Sequence, residues 1–210
     1  MVRTSGRLVS ILVAASAVML SAQRPANPAD GVLDVLVWGT HMSIDPAAYS
    51  QPLRAEVERH LRRAMAYVSK RPVPSYPEGE MVQAAQVMSE RRLAAVSDDP
   101  RAPALAAAYV DGLRPCYEWE GFHDCPEHEA EFADEYQAAH PGGPFSTYLP
   151  LLAAHRWLCA AEGYDYENDP TEAARSRRNY QQRVSTAQKS RVLLIRTAAD
   201  RLAARGRCFE

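Results

Sequence analysis

The sequence FSTYLPLLAAHRWLCAAE, residues 145–162, is the best single indicator of the fold. Its apolar side chains recur every three or four positions and so cover one broad face of a helix. The residues of this face are Tyr148, Leu151, Leu152, His155, Leu158 and Cys159. The same periodicity recurs in residues 46–69 and 170–205. The sequence therefore predicts a bundle of amphipathic helices.

Composition and helix-start signals favour an all-α fold. Alanine occurs 35 times and isoleucine three times, and alanine is a strong helix former whereas strands favour β-branched residues. Asp-Pro pairs at 45–46, 99–100 and 169–170 are typical helix starts, because aspartate caps the first turn and proline is tolerated there. We predict one all-α domain at residues 45–210, with about six helices in antiparallel hairpins and a long C-terminal helix. The predicted helices are 46–69, 78–97, 101–112, 126–139, 145–162 and 170–205.

Residues 1–22 have the pattern of a secretory signal peptide. Arg3 and Arg7 precede the uncharged apolar run 8–20, and small residues follow it. This run is shorter than the roughly 18 residues that a membrane-spanning helix needs. We therefore expect cleavage near Ala22 and a periplasmic or secreted protein without a membrane span, and retention of the segment as an anchor is the alternative. Residues 23–44 are expected to form a leader or linker with a short helix that caps the core.

Charge is unevenly distributed along the chain. The totals, 24 basic and 26 acidic residues, lack the basic excess of nucleic-acid-binding proteins. Residues 111–170 carry two basic and thirteen acidic side chains, whereas residues 171–210 carry ten basic and three acidic ones. Because opposite charges in one small domain attract, we expect the basic last helix to lie along the acidic fourth and fifth. The alternative is contact with an anionic surface through Arg175, Arg177, Arg178 and Arg183.

The segment CYEWEGFHDCPEH, residues 116–128, holds the densest group of chemically active side chains. An even number of cysteines in an exported chain indicates disulfides. Of the three pairings open to four cysteines, we favour the one that joins Cys116 to Cys125 and Cys159 to Cys208. The competing interpretation is a structural zinc site with two thiolates and two imidazoles. Its ligands would be Cys116, His123, Cys125 and His128.

The same segment is the candidate contact face for a protein partner. Clustered aromatic side chains are frequent at the centres of protein interfaces, and here they alternate with acids. The residues of this face are Tyr117, Glu118, Trp119, Glu120 and Phe122. The alternative is an envelope hydrolase of glycans or peptides with Glu118 and Glu120 as its catalytic acids. Phosphate-loop, zinc-protease, haem-attachment and nucleophile-elbow motifs are absent from the sequence, so we expect no cofactor and no catalysis.

Residues 129–174 resemble the helical hairpins of tetratricopeptide-type envelope proteins. Aromatic residues precede a proline, an Ala/Leu-rich helix with a tryptophan follows, and a Gly-Tyr pair leads to an Ala-Ala pair. These residues are Phe132, Tyr136, Pro141, Trp157, Gly163, Tyr164, Ala173 and Ala174. The resemblance implies a scaffold of stacked hairpins with a concave binding face and no chemistry of its own. We therefore expect an exported helical scaffold that binds a protein partner.

Overall fold

A computed structural model of the chain describes residues 27–39, 44–70, 81–113 and 121–209. Within these ranges it is a single all-α domain without strands, which confirms the predicted fold class. The helices are α1 (Pro28–Trp38), α2 (Leu53–Lys70), α3 (Met81–Ala94), α4 (Ala102–Gly112), α5 (Asp124–Ala139), α6 (Leu149–Tyr166), α7 (Pro170–Gln188) and α8 (Leu193–Arg205). None of the described helices is both long and apolar enough to cross a membrane. The predicted signal peptide lies outside the described residues.

Helix α6 is the centre of the core. Every residue from Leu149 to Ala161 is buried, so the helix is enclosed on all sides and not on one face as the periodicity suggests. Asp134 of α5 accepts a hydrogen bond from Trp157 Nε1 at 3.1 Å. The guanidinium of Arg175, on α7, lies 5.7 Å from the centre of the Trp157 ring. The tryptophan therefore joins three consecutive helices.

Helix α1 confirms the expected short helix but packs more deeply than a cap would. Val32, Leu33 and Leu36 are fully buried. The Asn27 side chain caps the first turn by accepting from the Ala29 N–H at 3.0 Å. Gly39 ends the helix with φ 75°, a left-handed conformation that glycine adopts readily because it has no Cβ.

The predicted first helix, 46–69, begins later than expected. Residues Pro46–Ala48 form a single 3₁₀ turn, and α2 starts at Leu53. Pro52 explains the difference, because a proline inside a helix removes a backbone donor and clashes with the preceding turn.

The predicted last helix, 170–205, is interrupted, and α7 and α8 replace it. Glu56 of α2 accepts hydrogen bonds from the backbone N–H groups of Leu193 and Leu194, at 3.3 and 2.7 Å. The first N–H groups of a helix have no partner within it. A carboxylate from a distant helix therefore stabilises a new helix start where local propensity favours continuation.

The basic C-terminal region does lie along the acidic helices. Arg183 pairs with Asp134 of α5 at 2.8 Å, and Arg175 pairs with Glu127 of the same helix. Arg177 pairs with Asp165 of α6. Arg178 is exposed and makes no ion pair within the described residues. Three of the four arginines considered for an anionic surface are therefore neutralised within the domain.

Candidate binding surface

The structure describes the predicted contact segment from Gly121 onward. Residues Cys116, Tyr117, Glu118, Trp119 and Glu120 lie outside the described residues. The first predicted site residues with a described position are therefore Phe122 and His123. Phe122 belongs to the predicted contact face, and His123 belongs to the predicted zinc set.

The backbone at His123 passes directly over Gly163 of α6. A Cβ atom at Gly163 would lie 2.5 Å from the His123 nitrogen and 2.8 Å from the Phe122 carbonyl carbon. Only glycine admits so close an approach, because every other residue has a Cβ. Gly163 thus determines where the segment contacts α6.

Replacing Gly163 with alanine is expected to destabilise the protein by about 1–3 kcal/mol, the usual range for overpacking. The higher helix propensity of alanine, about 1 kcal/mol, offsets only part of the backbone clash. Chemical denaturation measures the loss. Gly142→Ala is the control, since a Cβ there would meet nothing within 4 Å. Equal stability of the two variants would contradict the close packing.

His123 fastens the segment to the end of α6. Its backbone N–H donates to Glu167 at 3.2 Å, and its ring Nδ1 lies 2.7 Å from the same carboxylate oxygen. The hydrogen bond from the His123 side chain lowers the pKa of Glu167. The imidazole also stacks on Tyr164, with 3.9 Å between ring centres. Two polar contacts and one stacking contact therefore hold the backbone next to Phe122.

Phe122 and Tyr166 form an exposed aromatic pair beside this anchor. The two residues are 41% and 74% exposed, and their rings meet edge to face with centres 5.9 Å apart. Such ring pairs contribute about 0.5–1.5 kcal/mol beyond burial, so each ring helps to orient the other. We call these two residues the aromatic surface.

The cysteines are oxidised in the described region. Cys159 and Cys208 form the predicted disulfide, with their Cα atoms 4.9 Å apart. Cys125 is also disulfide-bonded, and its predicted partner Cys116 lies outside the described residues. Because a disulfide sulfur is not a thiolate ligand, this state and the zinc site proposed for Cys116, His123, Cys125 and His128 exclude each other.

A buried ionic cluster, which was not predicted from the sequence, consists of Arg92, Glu129 and Arg156. One Glu129 oxygen lies 2.6 Å from Arg92 Nη2, and the other accepts from Arg156 Nε. Both arginines also donate to the Val37 carbonyl oxygen, at 2.7 and 3.0 Å. The Tyr148 hydroxyl donates to the neighbouring Leu36 carbonyl at 2.6 Å. The cluster and Tyr148 thus supply donors to the C-terminal carbonyls of α1, which have no partners within the helix.

Electrostatics favour the charged form of this cluster. Burial alone would raise the pKa of Glu129, but Arg156 and Arg92 lower it to about 2. Two guanidinium groups and one carboxylate leave one net positive charge beside the negative end of the α1 dipole. The sequence signal was Arg156 within an otherwise apolar helix, since arginine is almost never buried unless it is paired.

A cavity of about 590 Å³ lies between α2 and the corner that joins α3 to α4. Its walls include Tyr67, Ala94 and Pro103. Arg63 and Asp98, which pair at 2.5 Å, also line it. None of the predicted site residues with a described position contributes to this lining, so the cavity and the aromatic surface are separate features.

Comparison with protein family models, with curated proteins and with solved structures finds no match to this chain. The geometry of the described residues is therefore the basis for assigning a function.

Proposed function

We propose that the protein is an exported helical scaffold, without catalytic activity, that binds a protein partner through the aromatic surface and the adjoining segment 116–121. The observation that carries this proposal is the exposed pair of Phe122 and Tyr166 on a fixed backbone. Large aromatic side chains dominate the binding energy of many protein interfaces. The pair therefore offers apolar area to a partner at low entropic cost.

The fixed backbone next to Phe122 supports the proposal in addition to the exposure of the aromatic pair. Binding costs free energy when mobile side chains become ordered. Gly163, His123 and Glu167 already fix the backbone next to Phe122. The backbone that carries Phe122 therefore needs no further ordering when a partner binds.

Charge indicates what kind of partner fits. Helix α5 follows the segment directly and exposes Asp124, Glu131 and Glu135. Complementary charges at an interface speed association and favour one orientation. We therefore propose a partner whose contact surface has an aliphatic or aromatic centre and a basic border.

Export and the tetratricopeptide-like architecture belong to the same proposal. The Cys159–Cys208 disulfide is consistent with an oxidising compartment, where such bonds persist. Packing of α5, α6 and α7 around Trp157 is consistent with a scaffold of stacked helices.

The double variant Phe122→Ala/Tyr166→Ala tests the aromatic surface. We expect it to capture the partner at least about tenfold less efficiently, since a hot-spot residue contributes about 2 kcal/mol or more. The measurement is quantitative mass spectrometry of proteins cross-linked to the chain in the cells that produce it. The control variant is Met65→Ala/Met88→Ala, which removes side chains that are 55% and 37% exposed elsewhere.

Capture of the same proteins in the same amounts by both double variants would overturn the proposal. Circular dichroism must first show that each variant is folded. Turnover of a glycan or peptide that disappears in Glu118→Gln or Glu120→Gln would instead support a hydrolase.

A further inference from the structure

The Cys159–Cys208 disulfide lies in a buried cluster that also contains His155. All three residues are 0% exposed. One imidazole nitrogen and the two sulfurs lie within 4.8 Å of one another. His155 and Cys159 are four positions apart on α6 and so occupy the same face of the helix. Cys208 comes from the segment that follows α8.

We propose that reduction of this disulfide turns His155, Cys159 and Cys208 into a binding site for a thiophilic divalent metal ion, with zinc as the best fit. Two thiolates and one imidazole are a known zinc ligand set that leaves a fourth position open. The three residues differ from the zinc set considered from the sequence, so the two sites can be tested separately.

Geometry supports zinc at this site. His155 Nδ1 lies 3.5 Å from Cys159 Sγ. Zinc–nitrogen bonds of about 2.0–2.1 Å and zinc–sulfur bonds of about 2.3 Å at a tetrahedral angle place these ligand atoms roughly 3.5 Å apart. The first two ligands therefore already have the separation that a bound zinc ion requires.

The third ligand stays close without the disulfide. The backbone N–H of Cys208 donates to Glu162 at 2.8 Å, and its carbonyl accepts from Arg205 at 2.9 Å. The next residue, Phe209, stacks on Trp38 with 5.4 Å between ring centres. These contacts keep residues 206–209 near α6 after reduction.

Charge also suits a dithiolate zinc site. Arg156 Nη1 lies 2.8 Å from His155 Nδ1, and this guanidinium would repel a cation held by neutral ligands alone. Two thiolates cancel the charge of zinc, and nearby guanidinium groups stabilise thiolates. Arg156 must release Nδ1, but it keeps Glu129 and the Val37 carbonyl as partners.

The chemistry is balanced in each direction. A dithiol reductant gives two electrons and two protons to the two sulfurs as the S–S bond breaks, and is itself oxidised to a disulfide. A phosphine reductant is oxidised to its oxide, and water supplies the oxygen and the two protons. Zinc binding then releases two thiol protons. An oxidant that removes two electrons re-forms the S–S bond and expels the metal. The site therefore holds either a disulfide or a metal ion.

The test uses the full chain with Cys116→Ser and Cys125→Ser, which removes the other cysteine pair. After phosphine reduction without oxygen, cadmium is added as a zinc substitute and its sulfur charge-transfer absorption is recorded. We expect one ion per reduced chain and none per oxidised chain. Substitutions Cys159→Ser and His155→Gln should each weaken binding by more than about 100-fold, whereas His60→Gln, at another buried histidine, should leave it unchanged.

Equal cadmium binding by the oxidised and reduced chains, or by Cys208→Ser and its parent, would overturn the proposal. A second measurement needs no core substitution. In the reduced parent, zinc must slow alkylation of both Cys159 and Cys208 by at least about tenfold, as measured by peptide mass spectrometry. Alkylation at the same rate with and without zinc would likewise overturn the proposal.

Discussion

Glu129→Gln will lower the free energy of unfolding by about 3–5 kcal/mol, the range for breaking a buried ion pair from one side. Glutamine keeps the shape of the side chain but removes the anion between Arg92 and Arg156. Both guanidinium groups then remain buried, with side chains only 5% and 7% exposed. Urea denaturation of wild type and variant measures the loss.

Glu131→Gln and Glu135→Gln provide the matched controls on the same helix. Both glutamates are exposed, and surface substitutions of this kind change stability by less than about 0.5 kcal/mol. A loss in Glu129→Gln no larger than in these controls would show that the cluster is solvated.

The same variant should also lose less unfolding free energy than wild type when the pH is lowered. The ordinary pKa of a glutamate is 4.5, and that of Glu129 falls to about 2 in the folded protein. A depressed pKa contributes stability above the unfolded value, and that stability is lost as pH falls toward the folded value. At about 1.4 kcal/mol per pKa unit, the contribution is about 3 kcal/mol. Wild type should lose it between about pH 5 and pH 2, and Glu129→Gln should not.

The second large effect is expected for Cys208→Ser. Its disulfide joins positions separated by 49 residues. In the chain-entropy model, closing a loop of that length raises the free energy of the unfolded chain by about 4 kcal/mol, and the variant loses this contribution to stability. The substitution also leaves Cys159 buried and unpaired. Unreduced variant and wild-type proteins are compared by chemical denaturation.

Arg207→Ser is the control, because Arg207 is an exposed neighbour of Cys208. It should stay within about 0.5 kcal/mol of wild type. If Cys208→Ser matched Arg207→Ser in stability, the disulfide would contribute nothing to folding.

The sequence predicted those parts of the fold that depend on residues close together in the chain. Asp169 was expected to start a helix, and its side chain accepts from the N–H groups of Thr171 and Glu172 at 3.2 and 3.1 Å. The fold class was likewise predictable, and the Cys159–Cys208 disulfide was the favoured one among three possible cysteine pairings. Each rests on composition, on neighbouring residues or on a cysteine count.

Features that depend on distant residues were not predictable. The start of α8 requires Glu56, which lies 137 positions before Leu193. At the aromatic surface, Phe122 was expected because it lies in an aromatic segment, but Tyr166 was missed. No pattern in one segment shows which residue of another helix will contact it.

The contact between α1 and α8 constrains when the protein can fold. Arg201 bonds both carboxylate oxygens of Asp30, a residue 171 positions earlier. Contacts at such separation form slowly, because the entropy of closing the loop is lost before the contact stabilises anything. During synthesis α1 precedes α8, with six α-helices between them among the described residues, so its pair with Arg201 can form only after α8 has been synthesised. Arg92 of α3 and Arg156 of α6 can bond the end of α1 earlier, so assembly around α1 begins with these helices and ends with α8.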